Sequence, residues 1–190
     1  ATVTVVDEIP PVIGCKDVTV QLDENGVALI TPGMLVETAT DNCGIAEYTT
    51  DITQLTCNDI GDAQVIVTAI DASGNTGTCA ATVTVEDTMP PNALCQDIIV
   101  EIDMWGNDVT IDPHDVDGGS TDNCGITGWL VDRDTFGCAD LGDNQIVLTV
   151  GDLSGNASTC TATVTVVDWV APYVFVYTTQ GLWLDDNDVA

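Results

Sequence analysis

Thr82-Val83-Thr84-Val85, followed by Glu86-Asp87, alternates a polar β-branched residue with an apolar one, so an extended backbone carries its valines on one face and its threonines on the other. That period of two predicts a half-buried strand. The same pattern stands at Thr2-Val3-Thr4-Val5-Val6-Asp7 and at Thr163-Val164-Thr165-Val166-Val167-Asp168. One strand thus recurs at a nearly fixed spacing, and the rest of the chain follows it.

Cys15, Cys43, Cys57 and Cys79 return as Cys95, Cys124, Cys138 and Cys160, with offsets of 80, 81, 81 and 81 residues. Asp41-Asn42-Cys43-Gly44-Ile45 returns as Asp122-Asn123-Cys124-Gly125-Ile126, and Ser73-Gly74-Asn75 as Ser154-Gly155-Asn156. Periodicity on this scale marks an array of stacked modules. Leu184 to Ala190 lines up with Leu22 to Ala28, two repeat lengths earlier. We therefore expect residues 1–8 to be the last strand of a preceding repeat, 9–88 and 89–169 to be two repeats, and 170–190 to start a further, truncated or divergent one. On this reading the chain is a window onto a longer polymer of domains.

Against 31 Asp and Glu there are 2 Lys and Arg, a formal charge of -29, while hydrophobic residues make up 45% of the chain. That balance suits globular modules and not a disordered acidic tail. It argues against nucleic acid and anionic membranes as partners, since both are held by basic residues, and it favours divalent cations. No apolar run approaches the ~20 residues of a membrane-spanning helix. Cysteines in even sets of four per ~80-residue module point to disulfides in an oxidising, extracellular compartment. Zinc–thiolate sites would want closer ligands than these cysteines offer.

Val18-Thr19-Val20-Gln21-Leu22 and Val65-Ile66-Val67-Thr68-Ala69-Ile70 read as further strands, and Glu24-Asn25-Gly26 as a hairpin turn with positive φ at both central residues. Short strands separated by turn clusters, with no helical period, predict an all-β fold: tandem immunoglobulin-like antiparallel β-sandwiches of about 80 residues. In such a sandwich the first strand begins, and the last hairpin turns, at one shared end. Cys15 follows Pro11 by four residues and Cys79 follows Asn75 by four, which favours Cys15 with Cys79 and leaves Cys43 with Cys57, repeated as Cys95 with Cys160 and Cys124 with Cys138. Four cysteines allow three connectivities, and the sequence excludes none.

Pro10-Pro11 with a cysteine soon after, Asp71-x-Ser73-Gly74-Asn75, Cys79 and the Val83-Thr84-Val85 strand together resemble the hyalin repeat, an immunoglobulin-like extracellular module. The added Asp-Asn-Cys-Gly and Cys-x-Asp-x-Gly elements (Cys57 to Gly61, Cys138 to Gly142) resemble repeats of large bacterial cell-surface adhesins, including filamentous gliding-motility adhesins. The resemblance implies a secreted, surface-displayed filament that adheres to substrata or other cells.

Eight acidic positions recur in both copies. In the proposed sandwich the loop holding Asp41 and the hairpin from Asp71 to Asn75 lie where the preceding linker arrives, so Asp7 and Glu8 should approach Asp41, Asp71 and Asn75. Asp87 should likewise approach Asp122, Asp152 and Asn156. Calcium takes six to eight oxygen ligands, and each junction would offer several. The alternative is that Asp-x-Ser-Gly-Asn is turn chemistry alone. Trp105, in the second copy's first turn, is either a platform for a sugar ring or packs on a neighbouring strand. One histidine, His114, and acids that recur as a set argue against an enzyme. Partners expected from these readings are neighbouring repeats, with polysaccharide or a cell-surface ligand beyond them. The rival functions to a stalk are a module that itself grips polysaccharide or a partner protein, and a subunit of a self-assembling fibre.

Overall fold

The computed structural model describes residues 1–103 and 105–170. In the first module, β1 (Val12–Cys15), β2 (Val18–Gln21), β3 (Val27–Leu29), one helical turn α1 (Pro32–Leu35), β4 (Val36–Thr40), β5 (Ile45–Thr50), β6 (Gln54–Thr56), β7 (Gly61–Asp71) and β8 (Thr76–Glu86) follow in order. The second module has β9 (Ile98–Glu101), β10 (Val109–Thr110), β11 (Ile126–Val131), β12 (Thr135–Phe136), β13 (Gly142–Asp152) and β14 (Ala157–Val167).

The alternating stretch forms most of β8, paired antiparallel with β7 from Gly61↔Val85 to Ile70↔Thr76. Val65, Val67 and Ala69 of β7 and Ala81, Val83 and Val85 of β8 are buried, as the period of two requires. The sheet runs β2-β8-β7-β5, and the pairs β1–β4 and β3–β6 form the facing layer. Ala28, Ile30, Leu35 and Leu55 close the core from that side. The second module repeats the plan with sheet β9-β14-β13-β11, and Ile111, Val116 and Phe136 take the places of Ile30, Leu35 and Leu55. Each module is an all-β sandwich.

Two local expectations change. Most pairings are antiparallel, but β2 runs parallel to β8, Val18 facing Val83 and Val20 facing Val85, and β9 runs parallel to β14. The chain crosses from the β1 layer at Lys16-Asp17 and joins the sheet edge in the direction of β8, and Asp17 Oδ1 accepts the Thr82 N–H at 2.7 Å. Glu24-Asn25-Gly26 does not close a hairpin, because β2 and β3 belong to different layers. It is an arch between them, with only Gly26 at positive φ (70°). Asp23 Oδ1 holds the arch by accepting from Asn25 N at 2.9 Å and Val27 N at 3.0 Å.

Residues 1–8 form no strand, although they repeat the β8 pattern, and Val3 and Val5 are exposed. A strand needs paired neighbours, and β8 has β7 and β2 on its flanks. Among the described residues no helix is long and apolar enough to cross a membrane. Most of the expected further repeat, 171–190, lies outside the described residues.

Candidate metal sites and the staple at the module junction

Of the eight acids that recur, five have structural partners within their own module. Asp17 and Asp97 cap Thr82 N and Thr163 N, and Asp51 and Asp132 cap Ile66 N and Val147 N. Asp59 and Asp140 cap Thr56 N and Gly137 N, Asp62 and Asp143 accept the Thr84 and Thr165 hydroxyls, and Asp23 and Asp103 hold the arches. Of the remaining three positions, Asp41 and Asp71 gather with Asp7, and Asp122 and Asp152 with Asp87, at the end of each module where the previous linker enters.

At the junction of the two modules, Asp87 leaves β8, Asp122 stands on the loop before β11, and Asp152 ends β13. One carboxylate oxygen from each lies within 4.8 Å of the others, and Asp7, Asp41 and Asp71 form the same group on the first module. Asp87 is 6% exposed and Asp152 8%. Asp87 Oδ1 accepts from Met89 N at 3.2 Å and from Asn123 Nδ2 at 3.2 Å, while its Oδ2 is buried without a partner. Asp122 Oδ2 accepts from Cys124 N at 2.8 Å, and its Oδ1 is buried and unpartnered. Asp7 Oδ2 and Asp41 Oδ1 repeat the pattern. Asn156 Nδ2 bridges Asp152 Oδ2 (2.8 Å) and the Asp87 carbonyl (3.1 Å), as Asn75 bridges Asp71 and Asp7. Glu8 is exposed and outside the group.

Hydrogen bonds thus fix one oxygen of each linker and loop acid and leave the second inside a cluster of like charges. At an effective dielectric near 20, each carboxylate pair at this separation repels by about 3 kcal/mol. No basic side chain neutralises either triad among the described residues: the chain has 2 Lys and Arg, and Arg133 pairs with Asp140 at 2.5 Å. Orphaned buried carboxylate oxygens, aspartates and a nearby amide are the donor set of a hard oxygen-seeking cation. At the first triad, the Asn42 side-chain amide and then the Ile9 N–H hold the Asp7 carboxyl below the usual carboxylate range. Its hydrogen bond to Cys43 is the largest cause pushing that thiol up, followed by burial and the charges of Asp7, Asp41 and Asp71.

The cysteines depart from the expected pairing. Cys15 is joined to Cys79 and Cys95 to Cys160, each tying the two layers of a module. Cys43 is not joined to Cys57, nor Cys124 to Cys138. Instead Cys57 bonds Cys124 across the junction, with Cα atoms 5.4 Å apart, and Cys43 and Cys138 are free and exposed. The reason is the length of β5: its six residues span about 20 Å, far beyond disulfide reach. Cys43 therefore sits at the incoming end beside Asp7 and Cys57 at the outgoing end beside Gly26. Closing a loop of this size stabilises typically by about 2–4 kcal/mol.

The arch at Gly26 makes the staple fit. A Cβ there would lie 2.5 Å from Cys57 Sγ and 2.7 Å from the Asn123 carbonyl. Asn123 Nδ2 also donates to the Asp23 carbonyl at 3.1 Å, so one side chain ties the arch, the linker acid and the loop together. The sequence reading missed Asn42 and Asn123 as clamps, although both recur inside Asp-Asn-Cys-Gly. Gly106 shares the φ of Gly26 (70°), and a Cβ there would meet only Cys138 Sγ, at 3.4 Å. Gly26→Ala and Gly106→Ala therefore carry the same backbone penalty, about 1–2 kcal/mol. Only Gly26→Ala is expected to expose Cys57 and Cys124 to alkylation, read by mass spectrometry without reduction. Trp105 is 78% exposed at the tip of the second module's arch. His114 lies against the Trp129 ring, 4.5 Å between centroids.

The fold and its junction define a tandem array of immunoglobulin-like sandwiches joined covalently end to end. Comparison with known proteins supports a hyalin-repeat module: the family model for the HYR domain matches residues 6–85. The chain is 33% identical over 202 residues to Hyalin of Strongylocentrotus purpuratus, covering 94% of this chain and 16% of that protein. It therefore spans about a sixth of its curated relative. Similar solved structures include Drosophila N-cadherin EC1-4, with a TM-score of 0.41, 16% identity and coverage of 84% of this chain and 50% of that one. DIP-gamma IG1+IG2 has a TM-score of 0.34, 13% identity and coverage of 83% and 98%.

Proposed function

We propose that this chain is a stalk segment of a secreted, surface-displayed adhesive filament, of the kind used for cell adhesion or gliding motility, whose junctions are stiffened by disulfides and calcium. The observation that carries this reading is the recurrence of one junction design. The Asp7, Asp41, Asp71 triad and the Asp87, Asp122, Asp152 triad each gather at the incoming end of a module with unpartnered buried oxygens. Calcium held there, with nearby carbonyls as further oxygens and the Asn75 and Asn156 amides, which donate through Nδ2, steadying the acids, would link the linker acid to two loops of the next module and fix the angle between modules. Between cations, the -29 charge keeps the array extended and soluble. Small-angle scattering on the 190-residue chain is expected to give a rigid, elongated particle in millimolar calcium. Its angular spread should widen in chelator, within the limit set by the Cys57–Cys124 bond. An identical profile in both conditions would count against cations at the junctions.

A second reading, direct binding of polysaccharide, is favoured by the exposed indole of Trp105. The arch that carries it is the equivalent of the one at Gly26 that touches the next module. Glycan binding lost on Trp105→Ala, with calcium-dependent stability unchanged, would favour that role over a stalk.

A further inference from the structure

We propose that the Cys57–Cys124 bridge is one rung of a continuous disulfide ladder, and that Cys43 and Cys138 are the half-rungs by which this pair of modules bonds to the repeats before and after it. The inference rests on the reading that repeats of this type flank the chain, and it is independent of calcium.

Four features make the bridge at the internal junction, and all four are already formed at the outer faces. On the outgoing side, Cys57 Sγ stands 3.7 Å from the Gly26 carbonyl, and Cys138 Sγ stands 3.9 Å from the Gly106 carbonyl. The arches beneath them are held alike, Asp23 accepting from Asn25 N at 2.9 Å and Asp103 from Trp105 N at 3.0 Å. The linker acids are set alike as well: Asp87 Oδ1 accepts from Met89 N at 3.2 Å and Asp168 Oδ1 from Val170 N at 2.9 Å. On the incoming side, Asn123 Nδ2 donates to Asp87 Oδ1 at 3.2 Å beside the bonded Cys124, and Asn42 Nδ2 donates to Asp7 Oδ1 at 3.1 Å beside the free Cys43. Cys138 thus presents the surroundings of Cys57, and Cys43 those of Cys124. An incoming face and an outgoing face of this design have already met once in the molecule, and the meeting produced a disulfide.

Forming each further rung joins two thiols. They give up two protons and two electrons to a disulfide oxidant, such as a low-molecular-weight disulfide in the export compartment, which leaves as two thiols. The pairing is specific because Asn42 or Asn123 and the linker acid place the incoming loop before oxidation.

The test joins residues 9–169 head to tail to a second copy of themselves. The new linker reads Asp168-Trp169-Ile9-Pro10-Pro11, in register with the natural Asp87-Thr88-Met89-Pro90-Pro91. After oxidation with oxidised glutathione, alkylation without reduction is expected to count two thiols per four-module chain. Peptide mapping is expected to find Cys138 of the first half joined to Cys43 of the second. Four free thiols would show that the outer faces do not bond, and none would show pairing inside modules. Either overturns the ladder, as would disulfide-linked multimers whose peptide map lacks the internal Cys138–Cys43 bond. The same chain melted with and without calcium reports on the stalk reading separately.

Discussion

Pulled from its two ends in oxidising buffer, the 190-residue chain is expected to give no extension step of module size, and a thiol reductant is expected to release two. Cys15–Cys79 spans a sequence separation of 64 residues and Cys95–Cys160 one of 65. While these bonds hold, tension passes from residue 15 directly to residue 79 and from 95 to 160, and the sheets between carry none of it. Once they are reduced, each module adds roughly 210–230 Å of chain at 3.3–3.6 Å per residue. Single-molecule force spectroscopy with and without reductant reads this difference. Steps of that length before reduction would mean that the bonds between layers are absent. Under the ladder proposal a second covalent path runs beside the first, entering at Cys43, following β5 and β6 to Cys57, and crossing to Cys124 and Cys138. Two short paths in parallel leave a filament little slack.

The strands were legible because a period of two survives in the text wherever one face is buried. Val83 and Val85 are sealed while Thr82 and Thr84 stay half-exposed on the opposite face. The gathering of Asp7, Asp41 and Asp71 was also within reach of sequence reasoning, since loop order in a sandwich says which turns share an end. The arch at Gly26 was misread, because an Asn-Gly turn looks alike whether the next strand returns to the same sheet or crosses to the other. The pairing of Cys57 with Cys124 was hidden for a related reason. Reading each repeat as a closed unit makes an even set of four cysteines pair internally, whereas here one cysteine of each module sits at either end. The exact 81-residue offset of Cys43 and Cys57 was the available signal, but an offset carries no distance. Nor does composition separate acids that cap backbone N–H groups, such as Asp51, from acids left with an unpartnered oxygen, such as Asp41.

Calcium is expected to raise the melting temperature of the chain strongly, and neutralising one junction acid is expected to act with opposite sign in calcium and in chelator. A cation bound only by the folded state at a free concentration a hundred times its dissociation constant adds about 2.7 kcal/mol per site. For modules of this size that corresponds to a shift of about 10–20 °C. Asp122→Asn keeps an oxygen able to accept the Cys124 N–H but removes one of the three mutually repelling charges. In chelator the variant should therefore melt higher than the parent, since about 3 kcal/mol of repulsion per carboxylate pair is relieved. In saturating calcium it should melt lower, because the cation loses a charged ligand. Magnesium at the same concentration should give a smaller shift, since it demands a tighter octahedron than two loops and a linker supply. If the acids served only as turn caps, Asp122→Asn would lower the melting temperature equally in both buffers and calcium would leave the parent unmoved. The sign reversal, followed by calorimetry in matched calcium and chelator buffers, separates a charge held in wait for a cation from a charge that merely holds a loop.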